Sequence, residues 1–210
     1  MPRRAVSQRA KTPKKTRRAL SFRVVKKSNS QTLFQCELEK SQCQYQTKKG
    51  RCKRTFKIGT EYCFQHLKIV YGVKVHNSRL IQGEKGLFAV RNFKKGDFII
   101  PYIGEIISAE ELKRRYDFDG YENVGPYALK AGNKIIDAAC RRGSASMIND
   151  ARGTGVSPNC DLTEKGIYAI ADIEDGDELL TDYGETYWEE SAISWSTKRA
   201  KYKTQRRSKK

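Results

Sequence analysis

Between Ser146 and Gly184 the chain places three unusual pieces in a fixed order. Ser146-Met147-Ile148-Asn149-Asp150 sets an asparagine in an apolar run, Ser157-Pro158-Asn159-Cys160 makes a turn, and Asp177-Glu178-Leu179-Leu180-Thr181-Asp182-Tyr183-Gly184 is an acidic strand closed by a tyrosine and a glycine. Each piece alone is common. Their order and spacing are not, and they restrict the fold more than any other stretch.

The flanking sequence reads as short strands with turns between them. Val73–Leu80 alternates in part, Gly86–Val90 is short and apolar, and Phe98–Ile107 is an apolar run that contains Pro101 and Gly104. Tyr127–Leu129, Lys134–Ile136, Gly166–Ala171 and Glu178–Tyr183 are further short strands. Lys95-Gly96-Asp97 and Asp175-Gly176-Asp177 mark turns. Ser108 with Glu111 three residues on is a capping box, which predicts a helix over Ala109–Tyr116. The pattern predicts a mainly β domain of several small sheets with short helices.

The formal net charge of +18 is unevenly placed. Residues 1–35 carry 11 Lys/Arg and no acid, residues 71–190 carry 15 against 21 acids, and residues 191–210 carry 8 and no acid. An acidic body is therefore expected at 71–190 between basic, disordered tails at 1–35 and 191–210, too polar to contribute to a core. The basic pairs, from Arg3-Arg4 to Lys26-Lys27, suit non-specific nucleic-acid contact or nuclear import. No apolar stretch approaches the roughly 20 residues that span a bilayer, so no membrane partner is expected.

Residues 36–70 form a separate unit. Cys43, Cys52, Cys63 and His66 are spaced as a Cys3His set suited to tetrahedral zinc. So short a segment rarely folds without a metal or a crosslink. Sequence leaves open whether Cys36 replaces His66, while Cys140 and Cys160 read as small buried residues.

With these motifs in order, residues from about 73 to 190 resemble the SET domain of S-adenosylmethionine-dependent protein lysine methyltransferases. Gly83-Glu84-Lys85-Gly86-Leu87 is similar to the family's Gly-x-Gly turn, with Glu84 where the first glycine is usual. Tyr102-Ile103-Gly104-Glu105 matches its Tyr-x-Gly-Glu element, and Ser146–Asp150 stands where the family has Arg-Phe-Ile-Asn-His-Ser. Ser146 and Asp150 depart from the usual arginine and histidine. Tyr168–Gly184 agrees with the final motif nearly throughout, and without post-SET cysteines the chain is similar to compact viral members.

The resemblance implies Tyr183, Tyr102 and Tyr127 around the target lysine, with Tyr183 central to catalysis. It implies Lys85, Gly86, Leu87, Asn149, Asp150, Tyr183 and Trp188 on the cofactor, where the Asp150 carboxylate suits a cationic group. A basic protein substrate, with a histone first, and a nuclear or chromatin location (a host nucleus for a viral protein) are what it implies for partner and place. Two other readings stay open: a chromatin- or nucleic-acid-binding protein with an inactive SET fold, and a methyltransferase of a non-histone protein.

Overall fold

Positive-φ glycines and β-branched runs cut this chain into short strands. The computed structural model describes residues 22–26, 32–36, 38, 40–58, 61–116 and 125–188. The basic stretches 1–21 and 191–210 lie outside the described residues.

Strands β1 (Phe22–Lys26) and β2 (Thr32–Cys36) pair antiparallel. This departs from the expectation of a structureless tail through residue 35. Phe-Arg-Val-Val-Lys and Thr-Leu-Phe-Gln-Cys are rich in β-branched and aromatic residues, which the count of basic pairs obscures.

The next strands, β3 (Ser41–Gln42), β4 (Gln46–Thr47), β5 (Gly50–Arg51) and β6 (Thr55–Phe56), share one antiparallel register. Ser41 faces Phe56, Gln42 faces Thr55, Gln46 faces Arg51 and Thr47 faces Gly50. Between them the Cys43 N–H donates to the Arg54 carbonyl and the Cys52 N–H to the Tyr45 carbonyl, both at 2.9 Å. Residues 41–56 are thus one hairpin, turned at Lys48-Lys49. Helix α1 (Phe64–Tyr71) follows and ends at Gly72 in the left-handed region, φ 69°. No helix was expected there. Leu67 on α1 joins the main core, with Tyr62 and Tyr71 packed against it.

The body contains β7 (Val73–Asn77), β8 (Lys85–Ala89), β9 (Phe98–Ile100), β10 (Glu105–Ile107), α2 (Ala109–Tyr116), β11 (Ala128–Ala131) and β12 (Lys134–Asp137). A 3₁₀ turn at Ser144–Met147 leads into β13 (Asn149–Asp150), and β14 (Cys160–Thr163), β15 (Gly166–Ala169) and β16 (Glu178–Thr181) complete it. The expected apolar run 98–107 is two strands, because the chain passes from one sheet to another at Pro101–Gly104. Ser108 caps α2 as expected, its hydroxyl accepting the Glu111 N–H at 3.2 Å.

Three sheets result, ordered β13-β16-β8-β7, β10-β12-β11 and β14-β15-β9. In the first, β16 lies between β13, parallel to it, and β8, antiparallel to it. All four of its residues are buried, with Leu179 and Leu180 at 0% and 1% exposure. This strand therefore holds the Asn149-Asp150 pair on one side, the 85–89 strand on the other, and Tyr183 at its end. Among the described residues the fold is mainly β, in several small sheets with short helical segments. Among the described residues no helix is long and apolar enough to cross a membrane.

Candidate active site

Asn149 is fixed by two bonds that reach across the sheet. Its Nδ2 donates to the Lys85 carbonyl at 2.9 Å and to Glu178 Oε1 at 3.0 Å. Glu178 Oε2 accepts from the Ser78 hydroxyl and the Arg79 N–H, both at 3.1 Å. A Cβ added at Gly86 would lie 2.3 Å from Glu178 Oε1. The space that a side chain at Gly86 would fill is thus taken by the Glu178 carboxylate. Lys85 offers its carbonyl to Asn149 and its ammonium to Asn77 Oδ1 at 2.5 Å. Leu87 has no exposed surface and packs in the core.

Asp150 is 5% exposed, and its carboxylate points into the protein. Oδ1 accepts the Arg152 N–H at 2.5 Å; Oδ2 accepts the Tyr183 N–H at 2.6 Å and Trp188 Nε1–H at 3.2 Å. Three protein donors thus hold this carboxylate in place. It ties β13 to the backbone of Tyr183 and to the indole of Trp188. Asn159, read from sequence only as part of a turn, does similar work: its amide donates to the Glu178 carbonyl and its Oδ1 accepts the Leu180 N–H, both at 2.9 Å.

Four tyrosines gather at the end of β16. The Tyr183 hydroxyl donates to the Ile148 carbonyl at 2.6 Å, and the Tyr102 hydroxyl donates to the Tyr127 carbonyl at 2.8 Å. Tyr187 meets the Tyr183 ring edge-on, centroids 4.9 Å apart. Burial pushes the Tyr183 phenol well above its ordinary value, with Tyr187, Tyr102, Asp150 and Tyr127 adding to the rise. Burial does the same for Tyr102, where Asp137 adds and Arg142 subtracts. The Arg142 guanidinium lies 3.7 Å from the Tyr127 ring centroid and donates to the Ala138 and Ala139 carbonyls. Both phenols stay neutral near pH 7. Each has committed its proton to a backbone carbonyl, so its oxygen presents only lone pairs to a neighbour.

Beside Asp150 a cleft of about 300 Å³ is lined by Arg152, Val156, Pro158, Asp182 and Glu185. The structure thus brings Asp150 to the edge of a cavity, while Lys85, Gly86 and Leu87 are not part of its wall. Arg152 spans the opening from its backbone bond on Asp150 to Glu185 at 3.3 Å and lies over the Trp188 ring.

Far along the chain, Cys43, Cys52, Cys63 and His66 converge, their ligand atoms all within 4.8 Å of one another. His66 Nδ1 is 3.2 Å from Cys43 Sγ and 3.4 Å from Cys63 Sγ, and its ring stacks on Tyr45 at 4.1 Å. A tetrahedron with bonds of about 2.0–2.3 Å sets ligand atoms roughly 3.5–3.8 Å apart, so the set fits zinc after small shifts, the two short imidazole separations widening and the longest ones closing. Burial opposes ionisation of Cys63, but the N–H groups of His66 and Gln65 at the start of α1 outweigh it and lower the thiol.

Residues 84–184 match the family model of the SET domain. Histone-lysine N-methyltransferase Set8 of Drosophila melanogaster is 33% identical over 113 residues, which are 48% of this chain and 16% of that protein. Histone-lysine N-methyltransferase ASHH2 of Arabidopsis thaliana is 32% identical over 119 residues, 50% of this chain and 6% of that protein. N-lysine methyltransferase KMT5A-A of Xenopus laevis is 28% identical over 199 residues, 88% of this chain and 52% of that protein. The chain thus spans from 6% to about half of the length of these relatives. Residues 84–184 are thus a SET domain, with a Cys3His cluster standing ahead of it.

Proposed function

We propose that the chain is a protein lysine N-methyltransferase that uses S-adenosylmethionine and acts on a histone-type basic peptide. The observation that carries this reading is the pair of neutral phenols, half-buried Tyr183 and buried Tyr102, each with its proton held by a backbone carbonyl. An amine is a hydrogen-bond donor, and two acceptor-only oxygens among aromatic rings suit it. The relatives' printed names, histone-lysine and N-lysine methyltransferases, support the substrate class.

S-adenosylmethionine supplies, when bound, a sulfonium methyl group open to attack by an amine. The residues present fit it: the 300 Å³ cleft is at the lower end of small-molecule sites, roughly 300–1,000 Å³, and carries the Asp182 and Glu185 carboxylates for a cationic, hydroxyl-bearing ligand. Those two residues, with Arg152 and the Trp188 ring, would hold it. Asn149 and Asp150 would act through the chain they fix. The tyrosine wall excludes water from the lysine, whose free pKa is about 10.4, and desolvation lowers that value towards the uncharged amine. Phenols held neutral do not act as bases. Tyr183 and Tyr102 therefore orient the amine, and alignment of this kind accounts for much of a transfer rate.

Incubation with labelled S-adenosylmethionine and a histone mixture is expected to label a histone. No transfer to histones by a chain that still binds the cofactor would overturn the substrate class, and transfer to another protein alone would move the target. The acidic balance of residues 71–190 favours a basic peptide, and a nuclear or chromatin location follows from that substrate.

The Cys3His cluster is proposed to hold one structural zinc ion through Cys43, Cys52, Cys63 and His66. Metal analysis should return about one zinc per chain. Stripping it with a strong chelator, or changing Cys43→Ser, should melt the 41–66 unit, because metal binding supplies its folding energy. An unchanged circular dichroism spectrum and melting curve after complete metal removal would refute the assignment.

A further inference from the structure

The single register of the 41–56 hairpin sorts its side chains by face. On the outgoing strand Ser41, Cys43 and Tyr45 are buried or half-buried, while Gln42, Gln44 and Gln46 are exposed. On the return strand Cys52 and Phe56 are half-buried on the cluster side, where Arg54 lies exposed over the Phe64 ring, while Arg51, Lys53, Thr55 and Lys57 are exposed on the other. One face thus closes over the Cys3His cluster, and the other presents a row of amides beside a row of cations. The ladder places Gln42 opposite Thr55 and Gln46 opposite Arg51, and the same register sets Gln44 opposite Lys53.

Residues 40–58 contain seven Lys/Arg and no acid, and all seven are exposed. Lys48 and Lys49 form the tip. Arg51 is pinned across the hairpin to the Cys43 and Gln42 carbonyls at 2.8 and 2.9 Å, and the Gln42 amide to the Cys52 carbonyl at 3.1 Å. Those bonds stiffen the ribbon and leave Gln44, Gln46, Lys48, Lys49, Lys53 and Lys57 on its outer face. Lys40 and Lys57 continue the register as a like-charged pair, an arrangement that destabilises a ladder unless anions neutralise it.

We propose that this outer face docks on duplex DNA, independently of the methyl-transfer reading. A two-stranded ribbon fits the major groove of B-form DNA, which is about 12 Å wide. Seven residues of strand span roughly 20 Å, long enough for the lysines to reach phosphates along the groove. Exposed glutamines meet base edges, since their amides both donate and accept. The deep, narrow major groove of A-form RNA does not admit the ribbon.

The test uses the full chain, loaded with zinc, in two quadruple variants. One changes Lys48, Lys49, Lys53 and Lys57 to Gln; the charge-matched control changes Lys95, Lys113, Lys130 and Lys165, exposed on the body, to Gln. Anisotropy of a labelled duplex is read against salt. The hairpin variant should bind more weakly, with a log–log salt slope flatter by about 2–4, because each lost phosphate contact removes about 0.9. The control should keep the wild-type slope, and the hairpin variant should keep its zinc and its transfer rate on a free histone peptide. Equal flattening in both variants would reduce the effect to net charge and overturn the proposal. So would an unchanged duplex slope with lost binding to polyglutamate, which would point to an acidic protein, or equal binding to duplex RNA.

Discussion

Tyr183→Phe should abolish most methyl transfer while leaving the protein folded. The ring and its edge-on contact with Tyr187 at 4.9 Å remain, as does the backbone N–H bonded to Asp150. What disappears is one oxygen, the group that donates to the Ile148 carbonyl at 2.6 Å and offers its lone pairs to the amine. Removing one preorganised hydrogen-bonding group from a reacting centre costs about 10²–10³ in rate, and that loss is expected here in kcat, read in single-turnover assays with labelled S-adenosylmethionine. The unpaired Ile148 carbonyl costs about 1–3 kcal/mol at most, so melting should shift by a few degrees only. Tyr102→Phe should behave alike, because Tyr102 commits its proton in the same way to Tyr127. A Tyr183→Phe rate equal to wild type would remove the residue from the site. Neither phenol should appear as an ionisation in the pH–rate profile below about 10, the ordinary tyrosine value, since burial raises both.

What could be read from sequence was local. The Lys95-Gly96-Asp97 and Asp175-Gly176-Asp177 turns are legible because glycine takes φ 95° in both and the aspartate right after it caps the N–H three residues before that aspartate, Asp97 on Lys94 and Asp177 on Glu174. The Ser108 cap is legible for the same reason. The convergence of Cys43, Cys52, Cys63 and His66 was legible because metal ligands announce themselves by residue type. Helix α1 was hidden behind that very signal: reading Cys63 and His66 as ligands drew attention from Leu67, which anchors the helix in the core. The hydrogen bonds of Asp150 could not be read from sequence. Its neighbours in sequence suggest a ligand site, but two of its partners, Tyr183 and Trp188, lie 33 and 38 residues downstream. The Glu178 carboxylate over Gly86 is equally non-local, because the two residues lie far apart in sequence and meet only through the pairing of β8 with β16.

Behind the tyrosines an ion network braces the sheet, and breaking it should be the most destabilising single change in the body. Glu105 and Asp137 stand directly opposite each other in the β10–β12 ladder, a like-charge pair that would destabilise the sheet by itself. Arg115, on α2 and 3% exposed, resolves it: Nη1 donates to Asp137 at 2.7 Å and to Glu105 at 2.9 Å, and Nε to Glu111 at 2.8 Å. Asp137 has no exposed surface and accepts as well from the Tyr116 hydroxyl at 3.0 Å and the Ala139 N–H at 2.9 Å. The three carboxylates and their own hydrogen bonds hold the Arg115 guanidinium charged despite its burial. Arg115→Leu strands a buried carboxylate beside a second one, and losing one partner of a buried pair costs about 3–5 kcal/mol. Against a typical domain stability of about 5–15 kcal/mol, that loss is large, and it should appear as a lowered melting temperature and urea midpoint. The damage comes from uncompensated charge, so Glu105→Gln and Asp137→Asn added to Arg115→Leu should recover much of it. The neighbouring tyrosine site reports the same event: Asp137 lies close enough to Tyr102 to raise its phenol, and the N–H of Ala138, just past the strand, donates to the carbonyl of Tyr127. Arg115→Leu should therefore slow methyl transfer even at temperatures where the protein is folded. An unchanged melting curve, or a triple variant no more stable than the single one, would show that the network carries no such strain.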